Sequence, residues 1–478
     1  MMALLYFAAR LYPRRTALVY EQQRYTFARL YRLAYRLALY LKETYRLAPG
    51  AEVALLLHNA PAAVLLMPAL ARLGVDVTLL NTDLTPHAVR ETLCRSPRCA
   101  LLVAEQPLPD LPVPLLLSHE VERLTSIGED LTPGGAQQAP ARPPVKLPKP
   151  RRIPKITVLT GGSGGHFTQA SRRPSPTMFL PPLAALFRNI GIHRYSSVYI
   201  PLPLYHGFGL ATLWVSLAAG KKTVLAPKLT PRQTGRLLNR EKIEVMPVVP
   251  ILISRLLSLP EHNAQTLPYL RCLICGGDRL DASVAAPAAR RLGPILFNLF
   301  GTSEAGFFLL ATPPQVLAYD PPPIGAPIKG VKCRVKDPDA NGVGELWVRS
   351  SWAMQGRRNR WQPTGDLVRR TADGLFCYIG RKDRMVVCGG ENVYPEHIEQ
   401  VALSFPGIAA ALATAHPDER TGRHMELLAE PLEPLNDAPV RAEELREYLR
   451  SRLSRSEMPH RICLGAVPRT ATGKVKRS

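Results

Sequence analysis

Several short runs of glycine, hydroxyl and carboxylate residues follow apolar, strand-like segments. The first is ITVLTGGSGG, residues 156–165, and its polar end comprises Thr160, Gly161, Gly162, Ser163, Gly164 and Gly165. Glycines let backbone N–H groups approach a phosphate closely, and hydroxyl groups add further donors. No Gly-Lys-Ser/Thr follows, which excludes a Walker A loop. Alone, the run fits a flexible turn as well as a phosphate-binding loop.

Two further runs place a carboxylate next to a predicted strand. FNLFGTSEAG, residues 297–306, contains Gly301, Thr302, Ser303 and Glu304. A carboxylate beside two hydroxyls can hold a hard cation against phosphate oxygens, although the run also fits the N-capped start of a helix. TGDL, residues 364–367, presents Asp366. This carboxylate could accept hydrogen bonds from ribose hydroxyls, or belong to a common turn.

The C-terminal quarter of the chain holds the two remaining runs. GRKDRMVVCGGENVYPEHIE, residues 380–399, joins a charged turn, a buried strand, a double glycine and a helix that starts near Pro395. PRTATGKVKRS, residues 468–478, carries Lys474 directly after a glycine. The lysine would lie on a loop, as a mobile cation or as part of a basic tail.

The elements that must position these runs follow an α/β pattern. Apolar strands are predicted at 53–57 and 76–80 around an apolar helix, and again at 197–202, 222–226, 244–249 and 270–275. Such β-α-β units indicate a parallel sheet flanked by helices. The segment YTFARLYRLAYRLALYLK predicts an amphipathic helix with Thr26 as its N-cap. We therefore expect a large N-terminal domain of parallel and mixed sheets, residues 1–381, with a Pro-rich basic connector near 134–155. A small α+β domain at 382–478 is expected to follow.

Composition and charge exclude several other classes of protein. The chain has 478 residues, 46% of them hydrophobic, and no uninterrupted apolar stretch long enough for a membrane span. The N-terminus lacks a signal-peptide pattern, so we predict a cytoplasmic protein. The eight cysteines form no disulfide framework, and the C-x-x-C of Cys272 and Cys275 reads as two core thiols.

The net charge of +23 predicts attraction to phosphate, whether in a nucleotide, an acidic lipid or a nucleic acid. Aromatic residues do not alternate with the basic clusters, so nucleic acid is not the favoured partner. The basic amphipathic helix could make a peripheral membrane contact, although packing on a domain core is the commoner arrangement.

The joint order and spacing of these runs resemble the adenylate-forming superfamily of acyl-CoA synthetases, peptide-synthetase adenylation domains and luciferases. The likeness covers nearly the whole chain, and we judge it nearest to bacterial fatty acyl-CoA synthetases. It implies an AMP-forming acid–thiol ligase that uses ATP, Mg²⁺ and coenzyme A, with no tightly bound prosthetic group. The substrate would be a medium- or long-chain fatty acid.

The resemblance also implies a role for each residue of the motifs. The loop from Thr160 to Gly165 would cradle the β- and γ-phosphates, and Glu304 would hold magnesium. Lys474 would reach the α-phosphate and the carboxylate, and His206 would border the acyl pocket, unless it is simply a packed loop histidine. Adenine and AMP would contact Gly276, Gly277, Asp278, Phe300, Gly301, Thr302, Ser303, Asp366 and Arg381. Asp383 would be the hinge of a rotating C-terminal domain, and the thiol tunnel would be lined by Gly389, Gly390, Glu391 and Asn392.

Two departures from the family pattern concern the nucleotide. Thr168 stands where the phosphate loop usually has a lysine, and Phe300 stands where the family usually has tyrosine. Two other readings stay open at this stage. The acyl group could be loaded onto an acidic carrier protein instead of coenzyme A, or the chain could be a non-catalytic nucleotide- or nucleic-acid-binding protein on this scaffold.

Overall fold

The computed structural model describes most of the chain. The described residues are 1–126, 147, 152–161, 167–173, 176–259, 267–354, 356–388, 391–418, 422–432, 442–469 and 475. By its internal contacts the chain divides into two compact units. Unit 1 comprises residues 1–248, 259–274 and 351–358, and unit 2 comprises residues 249–258, 275–350 and 359–478. The domain boundary expected at residue 381 remains a prediction.

The helices of the described residues are α1 Met2–Leu11, α2 Phe27–Tyr45, α3 Pro61–Leu73, α4 Pro86–Cys94, α5 Ser118–Ser126, α6 Pro176–Asn189, α7 Gly207–Ala218, α8 Pro231–Arg240, α9 Pro250–Leu257, α10 Ala282–Leu292, α11 Pro313–Ala318, α12 Pro395–Leu403 and α13 Ala442–Arg450, with a 3-10 turn at Ile192–Arg194. α2 is the amphipathic helix expected after Arg24. The Thr26 hydroxyl accepts a hydrogen bond from the Arg29 amide, as an N-cap does, and the apolar face is buried.

The strands run in chain order from β1 to β24. They are β1 Thr16–Tyr20, β2 Gln23–Thr26, β3 Glu52–Leu56, β4 Asp76–Leu79, β5 Cys99–Ala104, β6 Leu115–Leu117, β7 Ile156–Gly161, β8 Phe167–Arg172, β9 Ser197–Tyr199, β10 Lys222–Leu225, β11 Val245–Val248, β12 Cys272–Gly276, β13 Leu296–Thr302, β14 Gly306–Ala311, β15 Ala326–Pro327, β16 Lys332–Lys336, β17 Val343–Arg349, β18 Gln362–Arg370, β19 Phe376–Arg381, β20 Val386–Cys388, β21 Glu391–Val393, β22 Ile408–Asp418, β23 Gly422–Pro431 and β24 Arg461–Leu464.

Unit 1 is built on two mainly parallel sheets. One has the order β6-β5-β3-β4-β7-β8, parallel except for the antiparallel β7–β8 pair. The strands of the other sheet that lie wholly in unit 1 have the order β11-β9-β10-β1-β2, with only β1–β2 antiparallel. Short apolar strands joined by helices pair in parallel, so the strands predicted at 53–57, 76–80, 197–202, 222–226 and 244–249 are found here as β3, β4, β9, β10 and β11. The strand predicted at 270–275 is β12.

Unit 2 is built on antiparallel pairs. β13–β14–β15 form one group, β16–β17–β18–β19 form a four-stranded sheet, and β20 pairs with β21. Near the C-terminus β22–β23–β24 form a three-stranded sheet, and α12 and α13 contribute to the same apolar core. The predicted fold class is therefore confirmed: a mixed α/β fold with large sheets in its N-terminal part and a small α+β assembly at its C-terminal end.

β12 is the buried strand expected around the C-x-x-C. Cys272 and Cys275 are fully buried, and burial raises the pKa of Cys272 to about 12. Such thiols stay protonated, so they are packing residues, as expected. None of the described helices is long and apolar enough to cross a membrane.

Candidate active site

The run that contains Glu304 forms the turn of a β-hairpin in unit 2. β13 ends at Thr302, β14 begins at Gly306, and the Thr302 hydroxyl accepts a hydrogen bond from the Ala305 amide. Gly306 has φ of 77°, which closes the turn and prevents a helix from starting there. The helix-start alternative is therefore wrong. A Cβ on Gly301 would collide with the Gly306 carbonyl oxygen, so only glycine fits at this point of the hairpin.

A buried residue that no sequence motif indicated, Ser350, fixes this hairpin turn by a hydrogen bond. The Ser350 hydroxyl, fully buried after β17, donates a 3.1 Å hydrogen bond to the carbonyl oxygen of Ala305. Ala305 itself is fully buried, whereas Glu304 is half-buried and Ser303 is exposed. The buried anchor therefore leaves the polar side chains of the turn at the surface of unit 2, where they can reach a ligand.

Asp366 and Arg381 are direct neighbours on the antiparallel strands β18 and β19. Nη1 of Arg381 lies 3.3 Å from Oδ1 of Asp366 and donates a 3.1 Å hydrogen bond to the Thr364 carbonyl. Gly365 has φ of 75°, and a Cβ there would lie 2.8 Å from Nη2 of Arg381. The glycine of TGDL therefore makes room for the guanidinium. The structure thus pairs these two residues, while the predicted contact of each with ribose stays a prediction.

The charge state of Asp366 reflects its burial. The carboxylate side chain is 7% exposed, and removal from water raises its pKa to about 6 in spite of the nearby Arg381 guanidinium. Burial opposes the charge of Arg381, but hydrogen bonding to Asp383 and the charge of Asp366 outweigh it and raise the pKa of Arg381. The arginine is therefore a permanent cation, whereas Asp366 titrates just below neutral pH.

We expect an Asp366→Asn variant to bind adenosine nucleotides about 10- to 100-fold more weakly at about pH 8, the cost of losing a charge-assisted hydrogen bond. The difference should shrink below about pH 6, because the raised pKa means that wild-type Asp366 then becomes protonated and loses the same acceptor. The measurement is the ratio of the two AMP dissociation constants, since phosphate titration affects both proteins alike. A ratio that does not change with pH would contradict a role in ribose binding.

Phe300 lies on β13 of the hairpin, and its ring contacts aromatic residues of β14 and of the four-stranded sheet. Its ring centroid is 5.6 Å from that of Phe308 on β14 and 6.3 Å from that of Tyr378 on β19. Tyr378 precedes Arg381 on the same strand, so the aromatic contact brings the GTSEAG run towards the Asp366–Arg381 pair. These predicted nucleotide contacts thus belong to one compact unit.

Gly276 ends β12, and Gly277 and Asp278 lie in the turn that follows, also in unit 2. Asp278 accepts a 2.9 Å hydrogen bond from the amide of Arg279. Nε of Arg279 lies 3.1 Å from Oδ1 of Asp281, and Nη1 donates a 2.7 Å hydrogen bond to the carbonyl of Glu396 on α12. Arg279 therefore ties this turn to the C-terminal helix α12. No motif drew attention to it in the sequence.

The predicted hinge lies in a turn that is rich in ion pairs. Arg381 contacts Asp383 through two hydrogen bonds, of 3.1 and 3.2 Å, which lower the pKa of Asp383. The same guanidinium therefore contacts the predicted ribose carboxylate and the predicted hinge residue. Arg384, which sequence reasoning missed, pairs with the buried Glu396 at 2.7 Å and Glu399 at 3.2 Å. The only feature of the sequence that pointed to Arg384 was the charged turn before the apolar strand β20.

His206 belongs to unit 1, where it precedes α7. Its backbone carbonyl accepts the first hydrogen bond of that helix from Leu210, and its ring lies 4.7 Å from the ring of Tyr205. The loop before it is held by Asn59, which donates to the Leu202 carbonyl at 2.8 Å and accepts from the Leu204 amide at 2.8 Å. Asn59 is a second positioning residue that the sequence did not reveal, and the proposed place of His206 beside the acyl group stays a prediction.

Several predicted site residues lie outside the described residues. They are Gly162, Ser163, Gly164, Gly165, Gly389, Gly390 and Lys474, together with most of the connector at 134–155. The backbone of Thr160 and Gly161 ends β7, opposite Thr168 and Phe167 on β8. Glu391 and Asn392 begin the short strand β21, where exposed Glu391 accepts a 2.5 Å hydrogen bond from Ser456. The roles of all these residues remain predictions.

Comparison with known protein families decides the class. The family described as AMP-binding enzyme matches residues 5–164 and 183–356 of the chain. This chain belongs to the AMP-binding enzyme family. The match includes the glycine-rich run that follows β7 and the β13–β14 hairpin. The predicted superfamily and the predicted class of AMP-forming enzyme are confirmed.

Three proteins illustrate the likeness. A 2-succinylbenzoate–CoA ligase of Staphylococcus aureus is 27% identical, over 96% of this chain and 95% of that protein. The O-succinylbenzoate coenzyme A synthetase of Bacillus subtilis, solved with ATP and magnesium, has a TM-score of 0.81 at 23% identity, covering 99% and 98% of the two chains. ATP-bound MatB of Rhodopseudomonas palustris gives 0.82 at 21% identity, covering 99% and 97%. The expected nearness to fatty acyl-CoA synthetases is corrected, because the first two of these relatives are named for succinylbenzoate.

The described residues fit a magnesium ion that accompanies ATP. Magnesium prefers oxygen ligands and usually binds through one or two carboxylates plus substrate phosphates. The hairpin turn offers the half-buried Glu304 carboxylate, flanked by the hydroxyl-bearing residues Thr302 and Ser303. Glu304 is the residue that would hold the ion, whose charge would offset that of the phosphates.

Proposed function

We propose that this protein is an acid–coenzyme A ligase whose substrate is 2-succinylbenzoate or a closely similar aryl keto acid. It would form an acyl-adenylate from the acid and ATP and then transfer the acyl group to coenzyme A. The observation that carries this proposal is the match to a 2-succinylbenzoate–CoA ligase over 96% of this chain and 95% of that protein. The match extends over both the adenylating part and the C-terminal part.

The arrangement of charged groups supports adenylation as the first step. The acid and ATP are both anionic, so their approach requires fixed cations and donors near the α-phosphate. A carboxylate oxygen attacks the α-phosphorus, the bond to the β-phosphate oxygen breaks, and pyrophosphate leaves. Arg381 would hold the Asp366 carboxylate for the ribose, and Lys474 would supply the mobile cation at the reacting atoms.

The second step is attack by the coenzyme A thiolate on the acyl carbon, with AMP as the leaving group. The thiol tunnel for this step would be lined by Gly389 to Asn392, which follow β20 in the sequence and extend into β21. The first reaction takes place at the α-phosphorus and the second at the acyl carbon, so the two steps require different neighbours, which supports a C-terminal part that changes its orientation about Asp383.

A fatty acid is the second candidate substrate. The helix α7, GFGLATLWVSLA, follows His206 and carries no charged residue along its length. An apolar helix beside an acyl site suits an alkyl chain better than a second carboxylate. Cytoplasmic location and a peripheral membrane contact stay predictions under either substrate.

We expect ATP-dependent pyrophosphate release with 2-succinylbenzoate to exceed that with medium- or long-chain fatty acids by at least about tenfold in kcat/KM. A pocket that matches a second carboxylate rejects analogues that leave its polar groups unpaired. The assay is a panel of carboxylic acids, each with ATP and Mg²⁺, with benzoate as the matched acid that lacks the succinyl arm. Preference for a fatty acid would replace the proposed substrate, and release with no acid at all would contradict both.

The acceptor is tested in the same assay. Thioester should form with coenzyme A and not with an acidic acyl carrier protein. The reverse preference would assign the chain to carrier loading. Nucleotide binding without pyrophosphate release for any acid would instead support the non-catalytic alternative.

A further inference from the structure

A cluster of histidine and carboxylate side chains lies in the C-terminal sheet, and none of its members is among the residues assigned to the nucleotide. Asp418 ends β22, His424 lies two residues into β23, and His460 directly precedes β24. One ligand atom of each residue can be chosen so that all three lie within 4.8 Å of one another. Three separate strands thus bring metal-ligating side chains to one point.

We propose that Asp418, His424 and His460 form a binding site for a zinc ion. Imidazole nitrogen and carboxylate oxygen are the common non-sulfur ligands of zinc, and three protein ligands leave a fourth position for water. In tetrahedral coordination with bonds of about 2.0–2.1 Å, neighbouring ligand atoms lie about 3.3–3.5 Å apart. Nδ1 of His424 and Oδ2 of Asp418 are 3.6 Å apart, too far for a hydrogen bond and close to this ligand spacing.

The position of His460 agrees with a shared ion. Its ring is stacked on the ring of His424, with centroids 4.5 Å apart and planes at 11°. The amide of His460 donates a 2.8 Å hydrogen bond to the carbonyl of Met425, which fixes the backbone beside β23. In stacked rings the nitrogen lone pairs do not converge, so the exposed His460 ring would have to rotate about its side-chain bonds to share an ion with His424.

The carboxylate of Glu426 lies near Nε2 of His424, the ring nitrogen that does not face Asp418. Oε1 of Glu426 is 3.6 Å from Nε2 of His424, and Oε2 is 3.7 Å from Nε2 of His416. A histidine that ligates a metal through one nitrogen usually donates its other N–H to a carboxylate, which selects the tautomer. Glu426 lies on that side of the ring, and its 3.6 Å distance from Nε2 would have to shorten for the hydrogen bond to form when an ion binds. Nδ1 of His424 is the nitrogen on the side of Asp418.

The site would join the end of the β22–β23 pair to the start of β24. Asp418 pairs with Gly422 in the last register position of β22 and β23, while β24 pairs with β23 in parallel from Glu426 onwards. A bound ion would therefore tie together three strands of the same sheet and stabilise the C-terminal part against local unfolding.

The test is titration of tag-free, EDTA-treated full-length protein with Zn²⁺ in the presence of excess Mg²⁺, followed by calorimetry. We expect one high-affinity site, which His424→Ala and, separately, His460→Ala weaken at least about 100-fold, the upper end of what loss of a ligand's carboxylate partner costs. Glu426→Gln should weaken it about 10- to 100-fold. His87→Ala, which removes an exposed histidine of α4 in unit 1, is the matched control and should bind like the wild type.

Co²⁺ gives a second readout that does not depend on affinity. The wild type should show the visible absorption of a tetrahedral nitrogen- and oxygen-ligated ion, and His424→Ala should lose it while keeping its far-ultraviolet circular dichroism. His460 is exposed, so His460→Ala tests the site without disturbing the core. Zn²⁺ binding that is equal in the wild type and both histidine variants, or absent from the wild type, would overturn the proposal.

Discussion

A Glu304→Gln variant is expected to release pyrophosphate about 100- to 1,000-fold more slowly than the wild type, the loss typical of removing one fixed electrostatic contact from a transition state. The carboxylate lies in the hairpin turn between β13 and β14, where Thr302 and the buried Ser350 hydroxyl fix the backbone. Glutamine keeps the size of the side chain and removes its charge. The variant should therefore fold normally and need more Mg²⁺ to reach half of its maximal rate.

Asp337→Asn is the matched control, because it also removes one carboxylate charge from a turn of unit 2. Asp337 is exposed and pairs only loosely with Lys336, at 3.6 Å, among the described residues. Its replacement should leave both the rate and the Mg²⁺ requirement unchanged. If Glu304→Gln kept a near-normal rate and Mg²⁺ dependence, the assignment of the GTSEAG run to the metal and the α-phosphate would be wrong.

The fold could be predicted well because its signals are local. Short apolar strands that alternate with helices predicted the parallel sheets of unit 1. The alternation of apolar and basic residues after Thr26 predicted helix α2 and its N-cap. The exception is instructive. GTSEAG has the composition of a helix start, but the positive φ of Gly306 and the close approach at Gly301 make it a hairpin. Those constraints depend on strand pairing, which composition does not reveal.

The candidate site could be predicted only in part, for a related reason. Residues in motifs, such as Asp366 and Glu304, stand out in the sequence because glycines and hydroxyls surround them. Other positioning residues form hydrogen bonds to groups that are distant in the sequence, and their neighbours in the sequence do not indicate those partners. They are Ser350, Asn59 and Arg384. Arg381 was predicted to assist at the ribose, but its simultaneous contact with Asp383 appears only once β18 and β19 are paired.

A Lys474→Ala variant is expected to lose acyl-adenylate formation by on the order of 1,000-fold, in line with the removal of a catalytic electrostatic contact. Negative charge builds between the acid and the α-phosphate as they react, and an ammonium there offsets it. The neighbouring residues are suited to carry such a group. Arg469 and Val475 form an antiparallel bridge, and Arg469 is held by Glu430 at 3.1 Å.

Val475, the residue that follows Lys474, is anchored to the C-terminal sheet by apolar contacts. Val475 packs beside Ala410, Leu412 and Val467, so the residue that follows Lys474 is attached to the C-terminal sheet. The amide of Val467 also donates a 2.8 Å hydrogen bond to Glu430. Lys474 would therefore move with the whole C-terminal part, and its contact with the reacting atoms would depend on the orientation of that part about Asp383.

This dependence separates the two half-reactions. Given pre-formed acyl-adenylate and coenzyme A, Lys474→Ala should form thioester at close to the wild-type rate, because the reoriented C-terminal part no longer presents the lysine to the phosphate. Lys476→Ala, two residues further on and equal in charge change, should leave both half-reactions intact. Equal loss in both half-reactions would refute the two-orientation mechanism and indicate that Lys474 stabilises the C-terminal part. No loss in either would make Lys474 a solvated residue of a basic tail.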